Sequence, residues 1–136
     1  MIMIDTNILV DLREQDPVWE NWSYRAIADA RLVGEVVASV LTIGELASRR
    51  GTLPELQELS AGYGVRILPL SVAAAHRAGE AQRAYRAAGG RREKLLVDFL
   101  IGGEACMVGA AMLTRDPRHY RNYFPELTLI TPESNP

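Results

Sequence analysis

An α/β fold, with a five-stranded parallel sheet between two layers of helices, follows from three features of the sequence. Five short runs dense in apolar residues alternate along the chain with longer segments of helical spacing. Strands alternating with helices in this way build βαβ units and a parallel sheet buried on both faces. Helix caps and glycine or proline breaks fall between the runs.

The elements follow in order. Residues 1–4, Met-Ile-Met-Ile, read as a buried first strand, and a helix follows from Asn7 to Arg13. Asp16 and Pro17 supply an N-cap and a first-turn proline for a second helix, along which Trp19, Trp22, Ala26 and Ala30 recur at helical spacing until Gly34. Val36 to Leu41 form the second strand. Thr42 to Glu45 and Thr52 to Glu55 each fit the S/T-x-x-E capping box and open the next two helices. Val65 to Leu68 form the third strand, and Ser71 caps a long Ala- and Arg-rich helix that stops at Gly89 and Gly90. A further helix is expected from Lys94 to Val108, with Gly109 as its stop. Ala110 to Leu113 form the fourth strand, Pro117 to Tyr123 a short helical turn and Leu127 to Ile130 the fifth strand. Residues 1–131 read as one domain and residues 132–136 as a loose tail.

The chain has 136 residues, enough for a single hydrophobic core without staples, and 48% of them are hydrophobic. Cys106 is the sole cysteine, so an intramolecular disulfide and a CxxC metal site are both excluded, and it reads as a buried, inert thiol. The opening apolar run is too short for a signal peptide, and no apolar run reaches the length of about 18 residues that a membrane span needs. A cytoplasmic protein is expected, with no membrane partner. The formal charge of −2 excludes a general polycation, so any contact with nucleic acid rests on a local patch or on bound cations. The basic residues are arginines except for Lys94.

Open parallel sheets bind ligands beyond the carboxyl ends of their strands. Four acids occupy such places. Asp5 follows the first strand, Glu45 lies in the helix after the second, Asp98 lies early in the helix leading to the fourth and Asp116 follows the fourth. Asp98 is the only charge in Leu95-Leu96-Val97-Asp98-Phe99-Leu100-Ile101, where an unpartnered carboxylate is costly to bury. Each acid also has a structural reading. Asp5 can cap the first helix, Glu45 can complete a capping box, Asp98 can favour a helix dipole and Asp116 can shape the turn before Pro117. Taken together, four carboxylates at one edge repel one another unless cations neutralise them. Hard Mg²⁺ or Mn²⁺ ions take oxygen ligands of this kind, and can activate water and stabilise a leaving oxygen on a phosphodiester. Zinc is disfavoured, because His76 and His119 have no ligand spacing.

Four segments carry a resemblance: Met3-Ile4-Asp5-Thr6-Asn7-Ile8-Leu9, Ser39 to Leu46, Asp98 to Ile101, and Leu113 to Tyr120. In this order they resemble the acidic motifs of PIN-domain nucleases, particularly VapC-type toxins of bacterial toxin–antitoxin pairs. The resemblance implies a three-layer α/β/α PIN-like domain and a Mg²⁺- or Mn²⁺-dependent endoribonuclease that leaves a 5′-phosphate and a 3′-hydroxyl. It assigns Asp5, Glu45, Asp98 and Asp116 to metal binding and catalysis, and Thr6, Asn7 and Thr114 to supporting them. It further implies a homodimer and a small antitoxin that covers the active site. Gly102-Gly103-Glu104 departs from the small alanines of many relatives. Glu104, six residues beyond Asp98, is expected to be a surface acid, with a place at the metal site as the other reading.

Arg83, Arg86, Arg91, Arg92 and Lys94 form the densest basic stretch, either a guide for RNA phosphates or a solvated helix face. Arg115 and Arg118 flank Asp116 and either touch substrate or balance local charge. His119 reads as structural. Trp19 and Trp22 suit a partner surface or the core. Two other functions stay open: a non-catalytic PIN-like or receiver-like binding module, and a structure-specific DNA nuclease. A receiver-like domain wants adjacent acids after its first strand and a late lysine after another, whereas Thr6 and Asn7 follow Asp5 here.

Overall fold

The computed structural model describes residues 1–136. Five parallel strands, β1 (Ile2–Ile4), β2 (Val36–Ser39), β3 (Val65–Leu68), β4 (Ala111–Leu113) and β5 (Leu129–Ile130), form one sheet in the order β3-β2-β1-β4-β5. The helices are α1 (Thr6–Arg13), α2 (Glu20–Val33), α3 (Val40–Arg49), α4 (Leu53–Gly62), α5 (Val72–Ala87), α6 (Val97–Val108) and α7 (Arg118–Tyr123). This is the five-stranded α/β/α architecture the sequence predicts. The strand order differs from the 2-1-3-4-5 order of receiver-like sheets.

Alternation along each strand divides the core in two. Ile2, Ile4, Val36, Ala38, Val65 and Leu113 face one side, where they pack with Ile8, Leu9, Trp22, Ile27, Leu46 and Leu56 from α1 to α4. Met3, Val37, Leu68 and Met112 face the other, against Ala78, Phe99, Ile101, Ala105, Tyr120 and Phe124 from α5 to α7. Trp22 therefore belongs to the core, with Trp19 packed edge-on against it at a centroid distance of 6.2 Å.

Several boundaries differ from expectation. The helix expected at Pro17 begins at Glu20, although the Asp16 carboxylate still accepts from the backbone N–H groups of Val18 and Trp19. β2 stops at Ser39, whose hydroxyl accepts from Leu41 N and caps α3 three residues before Thr42. Thr42 consequently caps nothing, and Glu45 sits in the second turn. The Thr52–Glu55 capping box and the Ser71 cap both form. α6 begins at Val97 rather than Lys94, and ends at Gly109, whose φ of +70° suits glycine.

Two expectations about α6 are corrected. Glu104 is not a surface acid: it is 1% exposed, and neither carboxylate oxygen has a hydrogen-bond partner. The reason is that α6 is buried on nearly every side, and a Cβ on Gly103 would strike the Ala74 carbonyl of α5. Glycine thus permits the close approach that encloses Glu104. Cys106 is only half-buried, and burial pushes its thiol up to about 11, which keeps it unreactive. At the chain end, Trp22 Nε1 donates to the Asn135 carbonyl at 2.7 Å. No helix is long and apolar enough to cross a membrane.

Candidate active site

β1 pairs with β2 on one side and β4 on the other, the point where the chain reverses its direction of travel across the sheet. Such a switch point opens a crevice at the carboxyl ends of the strands. The register sets Ile4 level with Ala38 and Leu113, so Asp5 and Thr114 emerge side by side. Asp5 caps α1, its Oδ1 accepting from Thr6 N at 2.8 Å. Its Oδ2 accepts from the Thr114 hydroxyl at 2.8 Å and from Asn7 Nδ2 at 3.3 Å. Thr114 Oγ1 in turn accepts from Asp116 N at 3.0 Å, which ties the fourth acid to the first. Asp5 thus caps α1 and lines the crevice with the same side chain.

Glu45 reaches the same crevice from α3. Thr6 Oγ1 donates to its Oε1 at 2.6 Å and lies 2.9 Å from Thr42 Oγ1. With the Thr6 proton on Glu45, Thr42 must be the donor of the second bond. Asp98 enters from the first turn of α6, with His119 Nδ1 3.2 Å from its Oδ2. Asp5, Glu45, Asp98 and Asp116 line one small pocket together with Thr6, Asn7, Val10, Arg49 and Arg115. Glu45, Asp98 and Asp116 also line a larger groove of about 980 Å³.

Charge in this crevice is under-compensated. Burial and the neighbouring Asp98 raise the Asp5 carboxyl to about 7, against the opposing pull of Thr114 and Thr6. Burial also raises Glu45, with Asp98 adding to the effect. Tyr120 lies beneath with no solvent exposure; burial, then Asp5, Asp98 and Glu45, push its phenol well above its ordinary value. Its hydroxyl makes no hydrogen bond of ordinary geometry.

This donor set fits a hard divalent cation. The acids offer only oxygen, and a bound cation would relieve the repulsion that raises Asp5 and Glu45. No three acidic, histidine or cysteine side chains are already closed into a cage. Mg²⁺ tolerates this openness, because it keeps several waters and takes only one or two carboxylates.

The expected basic residues separate into three groups. Arg92 and Arg118 line the larger groove with Lys94. Arg115 borders the smaller pocket, but its Nε is engaged by Asp11. Arg86 lines neither and lies 3.4 Å from the Glu93 carbonyl. Sequence reasoning missed Asp11, Thr42, Arg49 and Tyr120. Arg49 was within reach of inspection, standing four residues beyond Glu45 on one helix face. Thr42 carries a local signal only for a cap, and Asp11 and Tyr120 carry none for the site.

The PIN domain family matches residues 2–125 of the chain. No curated protein matches it in sequence. Solved structures that share the fold include the following three. The crystal structure of VapBC2 from Rickettsia felis, bound to a DNA fragment from their promoter, is 20% identical with a TM-score of 0.73, covering 96% of this chain and 98% of that one. VapBC-1 from nontypeable Haemophilus influenzae is 19% identical with a TM-score of 0.70, over 96% and 98%. FitAcB from Neisseria gonorrhoeae is 22% identical with a TM-score of 0.66, over 98% and 99%.

Proposed function

The chain belongs to the PIN domain family, and from that membership we propose that it is a Mg²⁺- or Mn²⁺-dependent endoribonuclease, the toxin of a toxin–antitoxin pair. The observation that carries the reading is the meeting of Asp5, Glu45, Asp98 and Asp116 in one pocket at the β1–β4 edge. These four are the metal-binding and catalytic residues of the proposal. A divalent cation held there would supply positive charge to the phosphodiester and a nucleophilic water.

The chain's own groups have distinct tasks. Thr114 and Asn7 fix one oxygen of Asp5, and Thr6 N fixes the other. Thr6 and Thr42 orient Glu45. His119 steadies Asp98. Such partners set the direction of a ligand's lone pairs and so its affinity. The antitoxin partner is supported by the toxin–antitoxin complex from Klebsiella pneumoniae, whose structure aligns over 97% of this chain with a TM-score of 0.63. A homodimer acting in the cytoplasm completes the proposal.

Purified protein incubated with single-stranded RNA or DNA, with EDTA or with Mg²⁺ or Mn²⁺, tests it. Cleavage of RNA only with metal, abolished by Asp98→Asn and by Asp5→Asn, is the expected result. Metal binding without cleavage of either nucleic acid would overturn it in favour of a binding module, and cleavage of DNA alone in favour of a DNA nuclease.

A further inference from the structure

The larger groove holds more than the acids. Tyr85, His119, Arg92, Lys94 and Arg118 line it together with Glu45, Asp98 and Asp116. Arg92, Lys94 and Arg118 thus share one channel with the acids of the small pocket, and Glu93 stands between the first two. None of these three cations makes an ion pair, in contrast to Arg13, Arg50, Arg66, Arg77, Arg115 and Arg121. They remain available to an anion although the chain as a whole is acidic.

The segment that carries Arg92 and Lys94 is also held in place. Residues 91–96 contain no helix or strand, yet one buried amide pins both ends of the segment. Gln82 Nε2 donates to the Arg92 carbonyl at 2.9 Å, and its Oε1 accepts from Leu96 N at 3.1 Å. Gln82 is 3% exposed. Tyr85, one helical turn further along α5, is fixed edge-on against Phe99, His119 and Tyr123. Gly90 leaves the room for its ring, because a Cβ there would overlap it.

We propose that this groove is a nucleotide-binding subsite for single-stranded RNA, which seats the base next to the cleaved linkage against Tyr85 and His119 and the flanking phosphate on Arg92 and Lys94. The proposal rests on the nuclease reading for the position of the reacting phosphate. The occupant follows from complementarity. A single strand presents planar bases and anionic phosphates in alternation, which an aromatic wall beside unpaired cations can take up together. A duplex turns its bases inward and would leave the aromatic wall unpartnered. Gln82 then acts as a positioning residue, since it fixes the segment that carries both cations.

Binding measured in EDTA separates the subsite from catalysis. The probes are a fluorescein-labelled eight-nucleotide RNA, the same strand annealed to its complement, and an abasic ribose-phosphate oligomer of equal length. The double variant Arg92→Ala/Lys94→Ala is expected to weaken single-strand binding about tenfold and to flatten its salt dependence by roughly one phosphate contact or more. The charge-matched control Arg25→Ala/Arg31→Ala, on α2 across the sheet, should change it less than about twofold. Tyr85→Leu should weaken the base-bearing strand about tenfold and leave the abasic oligomer unchanged. The subsite is refuted if Arg92→Ala/Lys94→Ala behaves like its control, if duplex binds as tightly as single strand, or if Tyr85→Leu loses both oligomers equally. A protein that shows the expected binding but cleaves no nucleic acid with Mn²⁺ would sink the nuclease reading instead.

Discussion

Arg115 Nε lies 3.0 and 2.9 Å from the two oxygens of Asp11, a carboxylate with no solvent exposure. The Ser23 hydroxyl donates to the same carboxylate at 2.8 Å, and the guanidinium stands 5.7 Å above the Trp19 ring. One buried acid thereby joins α1, α2 and the segment after β4. The next residue along that segment is Asp116, so this ion pair is part of the framework that holds the pocket.

Breaking the pair should damage both fold and site. Asp11→Ala leaves a partly buried guanidinium without its counter-charge and should lower stability by about 2–4 kcal/mol. Urea unfolding measures this, and Mn²⁺ titration of the variant should show weakened binding through the loosened Asp116. Unchanged stability would mean that the pair is replaceable by water.

Asp5 makes stability depend on pH. Its carboxyl stands at about 7 in the fold, against about 3.9 in an unfolded chain. The folded state therefore binds the extra proton. The stabilisation is complete below about pH 4, declines as the pH rises to about 7, and is absent above, a span of at most about 4 kcal/mol in metal-free buffer. Asp5→Asn retains the N-cap acceptor and removes the charge. It should match the wild type near pH 4 and exceed it in stability near pH 8 in EDTA. Wild-type Mn²⁺ affinity should fall steeply below pH 7, because the ligand must lose its proton. Destabilisation by Asp5→Asn at pH 8 would show that the charge itself supports the fold.

Tyr120→Phe should preserve the packing of a side chain that lies wholly inside the core against Phe99 and Phe124. The deleted hydroxyl has no hydrogen bond of ordinary geometry, so the stability should stay constant or rise by up to about 1 kcal/mol. Thermal unfolding decides the matter. A loss beyond about 2 kcal/mol would reveal a bond to Asp5 that stabilises the protein.

Glu104 offers a second test of buried charge. Burial raises its carboxyl above the usual range, with the nearby Ser39 hydroxyl opposing it, and neither oxygen makes a hydrogen bond of ordinary geometry. Its stabilising proton is likewise retained at low pH and lost as the pH rises through the raised value. Glu104→Leu should therefore be nearly neutral at about pH 5 and more stable than wild type by about 1–3 kcal/mol at about pH 8. Equal destabilisation at both values would point to a shape constraint instead of a charge.

Much of this protein is legible in local pattern. β3 occupies Val65–Leu68 as expected, and the Thr52 and Ser71 signals are realised because a cap needs only its own first turn. Thr42 misled for a different reason. Val40 and Leu41 continue an apolar run, and in so short a run period 2 cannot be told from period 3.6. In the fold the cap falls to Ser39 instead. Helical spacing from Asp98 alone leaves Glu104 at the surface, because nothing local to α6 shows that α5 presses against its far side.

Periodicity, caps and the positions of acids after strands determined the sheet, the helical layers and the edge at which Asp5, Glu45, Asp98 and Asp116 would stand, since all of these depend on near neighbours in the chain. Only the tertiary structure decided that Arg115 serves Asp11, that Gln82 anchors Arg92, and that Tyr120 lies beneath the acids. These pairings join residues 10 to 115 positions apart through packing and burial, and a side chain's choice among distant partners is made by which of them the folded core leaves unsatisfied within reach.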